Sequence, residues 1–340
     1  MKKRFFPVGK LPQGLLGRLL REYTEADNRV LVGPSAGEDA AVIDFGDTCL
    51  VAKTDPVTFV SKDCAWYAVN VNANDIAAMG AVPRWFLATA LLPEGKTTER
   101  YVEKLFDSIS SACSELGISL CGGHTEITAG LNRTIIVGHM LGEVSKEKIV
   151  LSSGAKEGDD ILLTKGVAIE GTSIIAGERE KELKGKYSQG ALKRMKEFVK
   201  VPGISVLKEA YLANTLPGIH AMHDPTEGGL SMGLYELAGA SKVGLEIEED
   251  RINILPECFE LCNEFGLNPL GLIASGSLII VTEQSVTDKL RKLLREHQID
   301  VSVIGRVAGK SGVRLIRGGK RETFPFFEQD EMTKVVAAKN

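Results

Sequence analysis

The spacing of hydrophobic residues along the chain alternates between a helical period and a strand period. Leucines recur every three or four positions in residues 13–23, which predicts an amphipathic helix. Residues 37–44 and 48–53 read as strands around the turn Phe45-Gly46-Asp47, which favours a hairpin. The remaining predictions for the first half are helices at residues 65–79 and 98–116 and strands at residues 84–92, 118–121 and 134–141. This order is typical of a layered α/β domain with helices on one face of a largely antiparallel sheet.

The second half of the chain repeats the alternation of strands and helices. A segment rich in Lys, Ser and Gly, residues 145–159, marks the boundary between the halves. Beyond it, strands are predicted at residues 160–164, 244–248, 277–282, 301–307 and 313–317, and helices at residues 189–199, 205–215, 230–239, 256–265 and 285–297. We therefore expect two domains of the α/β class, residues 1–148 and residues 149–330.

The composition excludes several classes of partner. The 340 residues are 44% hydrophobic and 25% charged, and they carry a formal net charge of −4. Because there is no long basic run, neither nucleic acid nor an anionic membrane is expected as a partner. The six cysteines form no Cys-x-x-Cys pair, and no signal peptide or apolar run of about 20 residues is recognisable. We therefore expect reduced thiols and a cytoplasmic location.

Residues 120–126, Leu-Cys-Gly-Gly-His-Thr-Glu, place a glycine pair directly after a predicted strand. Gly122 and Gly123 would let backbone N–H groups approach a ligand, and Glu126 adds a carboxylate beside the turn. Phosphate recognition with a metal ion is one interpretation of this arrangement. A strand-to-loop turn with one solvated acid explains the same residues equally well.

The helix predicted at residues 65–79 carries an unusual set of polar residues. Asn70, Asn72, Asn74 and Asp75 recur along a segment otherwise composed largely of Ala and Val. Short amides and Asp are poor helix formers, so an ordinary surface would more often use Glu or Lys. We interpret these residues as functional; the alternative is a solvated helix face that ends at Gly80.

Two glycine-flanked segments of the second half carry candidate phosphate ligands. Lys165 lies at the mouth of a turn, where it either holds a phosphate or is an ordinary strand-end lysine. In the other segment, Thr226 is placed as an N-cap, and Gly228-Gly229 leave N–H groups at a helix start, which favours an anion. The preceding pair, His223-Asp224, is suited to acid–base chemistry or to association with a metal.

Five acids, each at a strand end or beside a glycine turn, lie in five separate segments: Asp39, Asp55, Asp75, Glu126 and Asp224. If the fold gathers them, so many carboxylates cannot all remain ionised without cations among them. Hard oxygen ligands select Mg²⁺, which in proteins often arrives with nucleotide phosphates. The sequence therefore predicts a Mg-nucleotide site, although it contains neither a P-loop nor the protein-kinase motifs.

Six segments in order make the chain resemble the aminoimidazole-ribonucleotide synthetase-like (PurM-like) superfamily. They are Gly9-Lys10-Leu11-Pro12, residues 37–42, Thr54-Asp55, residues 74–81, residues 122–126 and residues 224–230. The resemblance covers nearly the whole chain. It implies a two-domain α/β (α+β) fold, in which the N-terminal sheet joins that of a second subunit in a dimeric β-barrel. It further implies a C-terminal α/β domain and ATP bound in a groove between the domains.

The resemblance also implies roles for individual residues. Asp39, Asp55 and Asp75 match the acids that hold Mg-ATP, and the family's usual Gly-Asp-Asp motif has Glu38 at its middle position here. The implied nucleotide-binding residues are Asn74, Gly122, Gly123, Thr125, Glu126, Asp224, Thr226, Gly228 and Gly229. Candidates to stabilise the transferred phosphoryl group are Lys53, His124 and Lys165, with His223 as a candidate base.

Within the superfamily, the chain is most similar to the hydrogenase-maturation dehydratase branch, HypE. Members of that branch dehydrate a group carried on their own C-terminal cysteine, whereas the last cysteine here is Cys262. We therefore expect a HypE-like scaffold in a homodimeric enzyme that transfers the γ-phosphate of ATP to an oxygen of a small-molecule, amide or protein-borne acceptor. Two alternatives stay open: a non-catalytic nucleotide-binding or assembly protein, and a small-molecule kinase similar to thiamine-monophosphate kinase.

Overall fold

A computed structural model of the chain describes residues 6, 9–25, 27–35, 37–58 and 63–337. The chain divides into two compact units, each with its own sheet. The N-terminal unit comprises the described residues of 26–33 and 39–149, and the C-terminal unit comprises those of 1–25, 34–38 and 150–340. The first helix, α1 (Gln13–Tyr23), has the predicted bounds but groups with the C-terminal unit, although the sequence analysis assigned residues 1–148 to the first domain.

In the N-terminal unit, the described residues form a six-stranded sheet with two helices. The strands are β1 (Val30–Val32), β2 (Ala41–Asp44), β3 (Thr48–Val57), β4 (Val82–Pro93), β5 (Ser119–Thr128) and β6 (Ile135–Ser145), and the helices are α2 (Cys64–Ala78) and α3 (Glu99–Glu115). The strand order is β1-β2-β3-β6-β4-β5. Every neighbouring pair is antiparallel except β4 and β5. The prediction of a largely antiparallel α/β sheet is confirmed.

Helix α2 packs closely on β6 at two glycines of that strand. A Cβ atom on Gly138 would lie 2.3 Å from Nδ2 of Asn72, and one on Gly142 would lie 2.3 Å from Cγ2 of Ile76. Because residues four apart lie on one side of a helix, Asn72 and Ile76 occupy the space that two larger strand residues would need. This close approach fixes the position of the polar side chains of α2 relative to the sheet.

Strands β3 and β5 extend well beyond their predicted ends. Strand β3 continues through Asp55 and Pro56 to Val57, and its pairing with β2 ends at Ala52. Beyond Ala52 the strand therefore has a free edge toward β2, which tolerates the missing N–H of Pro56. Strand β5 continues through Gly122-Gly123, so these glycines lie inside a strand and form no turn.

The C-terminal unit contains a second sheet, flanked by helices. In chain order after α1, its elements are β7 (Asp160–Thr164), α4 (Ile169–Glu178), α5 (Glu180–Leu183), α6 (Gln189–Glu197), α7 (Leu207–Asn214), β8 (Ile219–His223), α8 (Gly229–Ser241), β9 (Leu245–Glu248), α9 (Pro256–Phe265), β10 (Ile279–Thr282), α10 (Gln284–Glu296), β11 (Val301–Val307), β12 (Val313–Arg317), β13 (Lys320–Thr323) and α11 (Met332–Ala337). The strand order is β13-β12-β9-β11-β7-β10-β8, and all four residues of β10 are buried. No helix among the described residues has the length and apolar character needed to cross a bilayer.

Candidate functional site

Three acids of the N-terminal unit lie around the half-buried lysine of β3, Lys53. The ammonium of Lys53 lies 3.0 Å from Oδ1 of Asp75, and the carboxylates of Asp55 and Asp39 also act electrostatically on it. A carboxylate oxygen of Asp39 lies within 4.8 Å of one of Asp75. These four residues are called the Lys53 cluster below. Three carboxylates against one ammonium leave the cluster with an excess of negative charge.

The pKa values of the cluster reflect this excess. Burial acts to lower the pKa of Lys53, but the carboxylates of Asp75, Asp55 and Asp39 together raise it above its ordinary value. Burial raises the pKa of Asp75 to about 7; Lys53 opposes this rise, while Asp55 and Asp39 add to it. Both shifts show that the cluster favours additional positive charge.

The polar residues of α2 are buried, which rules out the solvated helix face. Asn70 donates to the carbonyl of Trp66 at 3.0 Å, and Asn72 donates to that of Ala68 at 2.8 Å, so these two amides bond back to their own helix. Nδ2 of Asn72 also lies 3.3 Å from the carbonyl of Asp55. Asn70 and Asn72 therefore tie α2 together and join it to β3, whereas Asp75 is directed at Lys53.

The Lys53 cluster has the composition of a site for a hard divalent cation. Oδ2 of Asp75 is buried and accepts no hydrogen bond from the residues that the structure describes. A buried carboxylate oxygen without a partner is costly, and a cation is the partner that also corrects the charge. The donors are all carboxylate oxygens, which are the ligands that Mg²⁺ prefers. Asp39, Asp55 and Asp75 thus fit the predicted metal.

The residues predicted around Gly122-Gly123 lie elsewhere on the sheet. Asp55 pairs with Gly138, Gly138 with Ala88, and Ala88 with Gly123, so Asp55 and Gly123 are three strand spacings apart. At about 4.8 Å per spacing, this separation is about 14 Å. His124, Thr125 and Glu126 follow on the same strand, and the structure does not bring them to the Lys53 cluster within one chain.

A steric constraint between neighbouring strands, which the sequence analysis did not predict, explains the glycine at position 123. A Cβ atom on Gly123 would lie 1.9 Å from the carbonyl oxygen of Ala88, so the pairing with β4 requires glycine there. The predicted turn is therefore wrong, while the predicted contact of these glycines with a nucleotide stays a prediction. Nε2 of His124 lies 3.2 Å from Glu126, and every residue of β5 except Thr128 is exposed.

Lys165 belongs to a buried network of polar contacts in the C-terminal unit. Its ammonium lies 2.8 Å from Glu209 and donates to the carbonyls of Gly203 at 2.9 Å and Ser205 at 2.7 Å. An ammonium has three donors, and all three are used here. No donor of the ammonium is left for a phosphate in this network, so the structure favours a structural role for Lys165, and its contact with a transferred phosphoryl group stays a prediction.

His223 and Asp224 are both buried at the end of β8. Nε2 of His223 lies 3.2 Å from Glu236 of α8, and its Nδ1 lies 3.4 Å from Oγ of Ser152. Both ring nitrogens therefore have polar neighbours that fix the orientation of the imidazole. The carboxylate of Asp224 is 2% exposed, which is rare for an acid without a specific role.

The start of α8 differs from the prediction. Gly228, with φ of +83°, is the N-cap in place of Thr226. The N–H of Gly228 donates to Asp330 at 2.6 Å, so an internal carboxylate, and not a phosphate, occupies the predicted anion position. A Cβ atom on Gly229 would lie 2.7 Å from the carbonyls of Leu270 and Leu272. Gly228 and Gly229 therefore serve local packing.

The two halves of the chain match two domain models of one family. Residues 37–144 match the N-terminal domain of AIR synthase related protein, and residues 156–318 match its C-terminal domain. The chain belongs to the AIR synthase related family. The PurM-like resemblance inferred from the sequence is thereby confirmed.

Relatives of this AIR synthase related chain include proteins of hydrogenase maturation. The chain is 29% identical over 283 residues to a hydrogenase expression/formation protein of Methanocaldococcus jannaschii, covering 81% of this chain and 80% of the relative. It is 26% identical over 267 residues to the carbamoyl dehydratase HypE of Cupriavidus necator, covering 78% and 71%. A crystal structure of HypE in complex with ATP has the same fold, with a TM-score of 0.69, 22% identity and coverage of 91% and 90%.

Three features of this AIR synthase related chain escaped sequence reasoning. Glu38 accepts the N–H groups of Ser152 and Ser153, each at 3.2 Å, so the acid at the altered motif position anchors a turn. The close packing of α2 on β6 was not predicted, although isolated glycines in a strand, here Gly138 and Gly142, are a signal of such an approach. No local pattern marks Asp330, because its partners Gly228 and Ile273 lie far away in sequence.

Proposed function

We propose that this chain is a Mg-ATP-dependent enzyme that transfers the γ-phosphate to an oxygen of a small-molecule, amide or protein-borne acceptor. The Lys53 cluster carries the proposal, because it joins two buried acids, Asp39 and Asp75, to the half-buried Asp55, and because Oδ2 of Asp75 lacks a partner among the described residues. Membership of the AIR synthase related family supports it. So does the shared fold with HypE, which was solved in complex with ATP.

The side chains of the cluster suit charge neutralisation better than proton transfer. Asp39, Asp55 and Asp75 would hold Mg²⁺, which neutralises phosphate charge when it is bound. Lys53 stays protonated because its carboxylate neighbours raise its pKa, so it supplies a fixed positive charge beside the metal ligands. Catalysis would then rest on positioning and on electrostatic stabilisation. Asn74, Asp224 and Thr226 remain proposed nucleotide ligands, and His223 remains a proposed base.

We also propose that the chain forms a homodimer through β5. This strand is at the edge of its sheet, and it is exposed on both faces, including the apolar side chains of Leu120 and Ile127. An exposed edge with apolar residues favours pairing with another strand. In a dimer His124 and Glu126 would lie at the interface. Sedimentation should show a dimer for the wild type and a monomer for Ile127→Lys; a wild-type monomer at all concentrations would contradict this proposal.

Turnover of ATP tests the enzymatic proposal. Release of ADP and of phosphate, or of a phosphorylated product, should be followed with candidate amide and hydroxyl acceptors in the presence of Mg²⁺. Asp75→Asn should abolish turnover and leave the fold intact, because the amide keeps the shape and removes the charge. Asp44→Asn is the control, since Asp44 is the last residue of β2 and pairs with Lys146 at 2.8 Å instead of with Lys53.

The outcome separates the proposal from its rival. ATP binding without turnover for any acceptor would favour the non-catalytic nucleotide-binding alternative. Equal turnover in the wild type and Asp75→Asn would contradict the role of the Lys53 cluster.

A further inference from the structure

The segment near the C-terminus, residues 324–335, is held against the loop that leads into α8. The carboxylate of Asp330 accepts the N–H of Gly228 at 2.6 Å, the N–H of Met332 at 2.7 Å and the N–H of Ile273. One residue therefore joins three separate stretches of backbone through one buried carboxylate. We call residues 324–335 the latch and residues 224–229 the loop.

Other contacts hold the latch in place without involving the loop. The carboxylate of Glu331 accepts the N–H of Asn268 at 2.9 Å and pairs with Lys334 at 2.6 Å. The N–H of Glu331 donates to the carbonyl of Gly271 at 3.1 Å. A Cβ atom on Gly271 would lie 2.6 Å from the ring of Phe327. The latch is thus docked through residues 268–271 independently of Asp330.

The first turns of α8 also bind the latch backbone. Tyr235 donates to the carbonyl of Phe324 at 2.7 Å, and Ser231 donates to the carbonyl of Pro325. With Asp330 at Gly228, the latch contacts the helix at its N-cap and along one side.

The carboxylate of Asp330 lies at the start of α8, where a helix favours a negative charge. The first N–H groups of a helix lack partners within the helix, and the helix dipole favours an anion near them. A charge-assisted hydrogen bond from an N–H to a buried carboxylate is stronger than one between neutral groups. Gly228 has φ of +83°, a left-handed conformation that glycine adopts without strain. Asp330 therefore supplies, from about a hundred residues away in sequence, an acceptor for the N–H of the residue that precedes the helix.

We propose that Asp330 is a positioning residue that holds the loop, and with it Asp224, in the conformation that binds nucleotide. This inference rests on the proposed function, because Asp224 is a proposed nucleotide ligand. It assigns the C-terminal segment a role in nucleotide binding through backbone geometry, without direct contact with the nucleotide.

Asp330→Asn removes the charge while keeping the shape, and Glu331→Gln is its matched control. Both residues are buried carboxylates of the latch that accept backbone N–H groups, but of these two only Asp330 accepts from Gly228. Two measurements are made on the full chain: hydrogen exchange over residues 224–231, and the dissociation constant of a nonhydrolysable ATP analogue with Mg²⁺. We expect Asp330→Asn to speed exchange in the loop and to weaken binding by about tenfold, the size of one lost charge-assisted hydrogen bond. Glu331→Gln should leave both unchanged.

Two results would overturn the proposal. One is unchanged loop exchange and affinity in Asp330→Asn, and the other is an equal effect of Glu331→Gln, which would make the latch a general packing element. If the wild type binds no nucleotide, the proposed function fails, and loop exchange alone still decides whether Asp330 holds the loop. Should Asp330→Asn not fold, Asp330→Glu, which keeps the charge at a longer reach, is compared with Glu331→Asp for the same readouts.

Discussion

Replacing Lys165 by methionine tests whether this residue is structural or catalytic. The side chains of Lys165 and Glu209 are only 7% and 5% exposed, and their charged atoms lie 2.8 Å apart. Methionine keeps the length of the lysine stem but removes its charge and its three hydrogen bonds. Glu209 would then be a buried carboxylate without its cation, and the carbonyls of Gly203 and Ser205 would lose a donor.

The expected loss of stability is large. Removing one partner of a buried ion pair costs about 3–5 kcal/mol, because the other charge stays buried and unpaired. A domain has a total unfolding free energy of about 5–15 kcal/mol, so Lys165→Met should lower it by about a fifth or more. Replacing both partners by apolar residues removes the unpaired charge, so the double variant Lys165→Met, Glu209→Met should recover most of the loss.

Urea unfolding, followed by circular dichroism, measures these changes. Lys193→Met is the matched control, since Lys193 is 74% exposed in its pair with Glu197 and its loss should leave the midpoint unchanged. The Mg-ATP affinity of the folded variants is measured in parallel and should equal that of the wild type. A Lys165→Met protein that unfolds at the wild-type midpoint but no longer binds Mg-ATP would refute the structural interpretation and restore the predicted phosphate contact.

Two further predictions concern Asp330 and Gly138. Burial raises the pKa of Asp330 to about 6, with Glu227 adding to the rise, so the folded state binds this proton more tightly than the unfolded chain. The resulting stabilisation of about 3 kcal/mol is complete below pH 4 and is lost as the pH rises through 6. Urea unfolding of Asp330→Asn from pH 4 to 7.5 should lack this part of the pH dependence, and an unaltered pH profile would contradict it. Gly138→Ala should lower the melting temperature, because its Cβ would lie 2.3 Å from Asn72. Gly177→Ala is the control and should not lower it, because a Cβ at this position of α4 meets open space. Equal melting temperatures of the two variants would argue against the close packing of α2 on β6.

Strong periodic patterns predicted the elements best. The bounds of α1, β7, α9, β11 and β12 match the sequence prediction, because each has an unbroken period and clear flanking residues. The wrong strand ends lie at proline and glycine residues that this fold accommodates inside a strand. The predicted end of β3 before Pro56 is wrong, because beyond Ala52 the described residues of β2 no longer pair with it, so the missing N–H of Pro56 is tolerated. The predicted turn at Gly122-Gly123 is wrong, because a strand exposed on both faces has no alternating pattern to reveal it.

The candidate site was predictable in part. Asp55 stood out as an acid at a predicted strand end and Asp75 as an acid in a helix otherwise suited to burial, and the structure brings both to Lys53. Lys165 lies in an equally suggestive segment, yet Glu209 and two carbonyls use all its donors. Local sequence shows which groups can bind a phosphate, but only tertiary structure shows whether the protein itself already occupies them.

Calorimetric titration with a nonhydrolysable ATP analogue, with and without Mg²⁺, tests the central claim most directly. The Lys53 cluster predicts binding that requires Mg²⁺ in the wild type, is lost in Asp75→Asn and is retained in Asp44→Asn. Binding of equal strength without Mg²⁺, or wild-type binding by Asp75→Asn, would contradict the account.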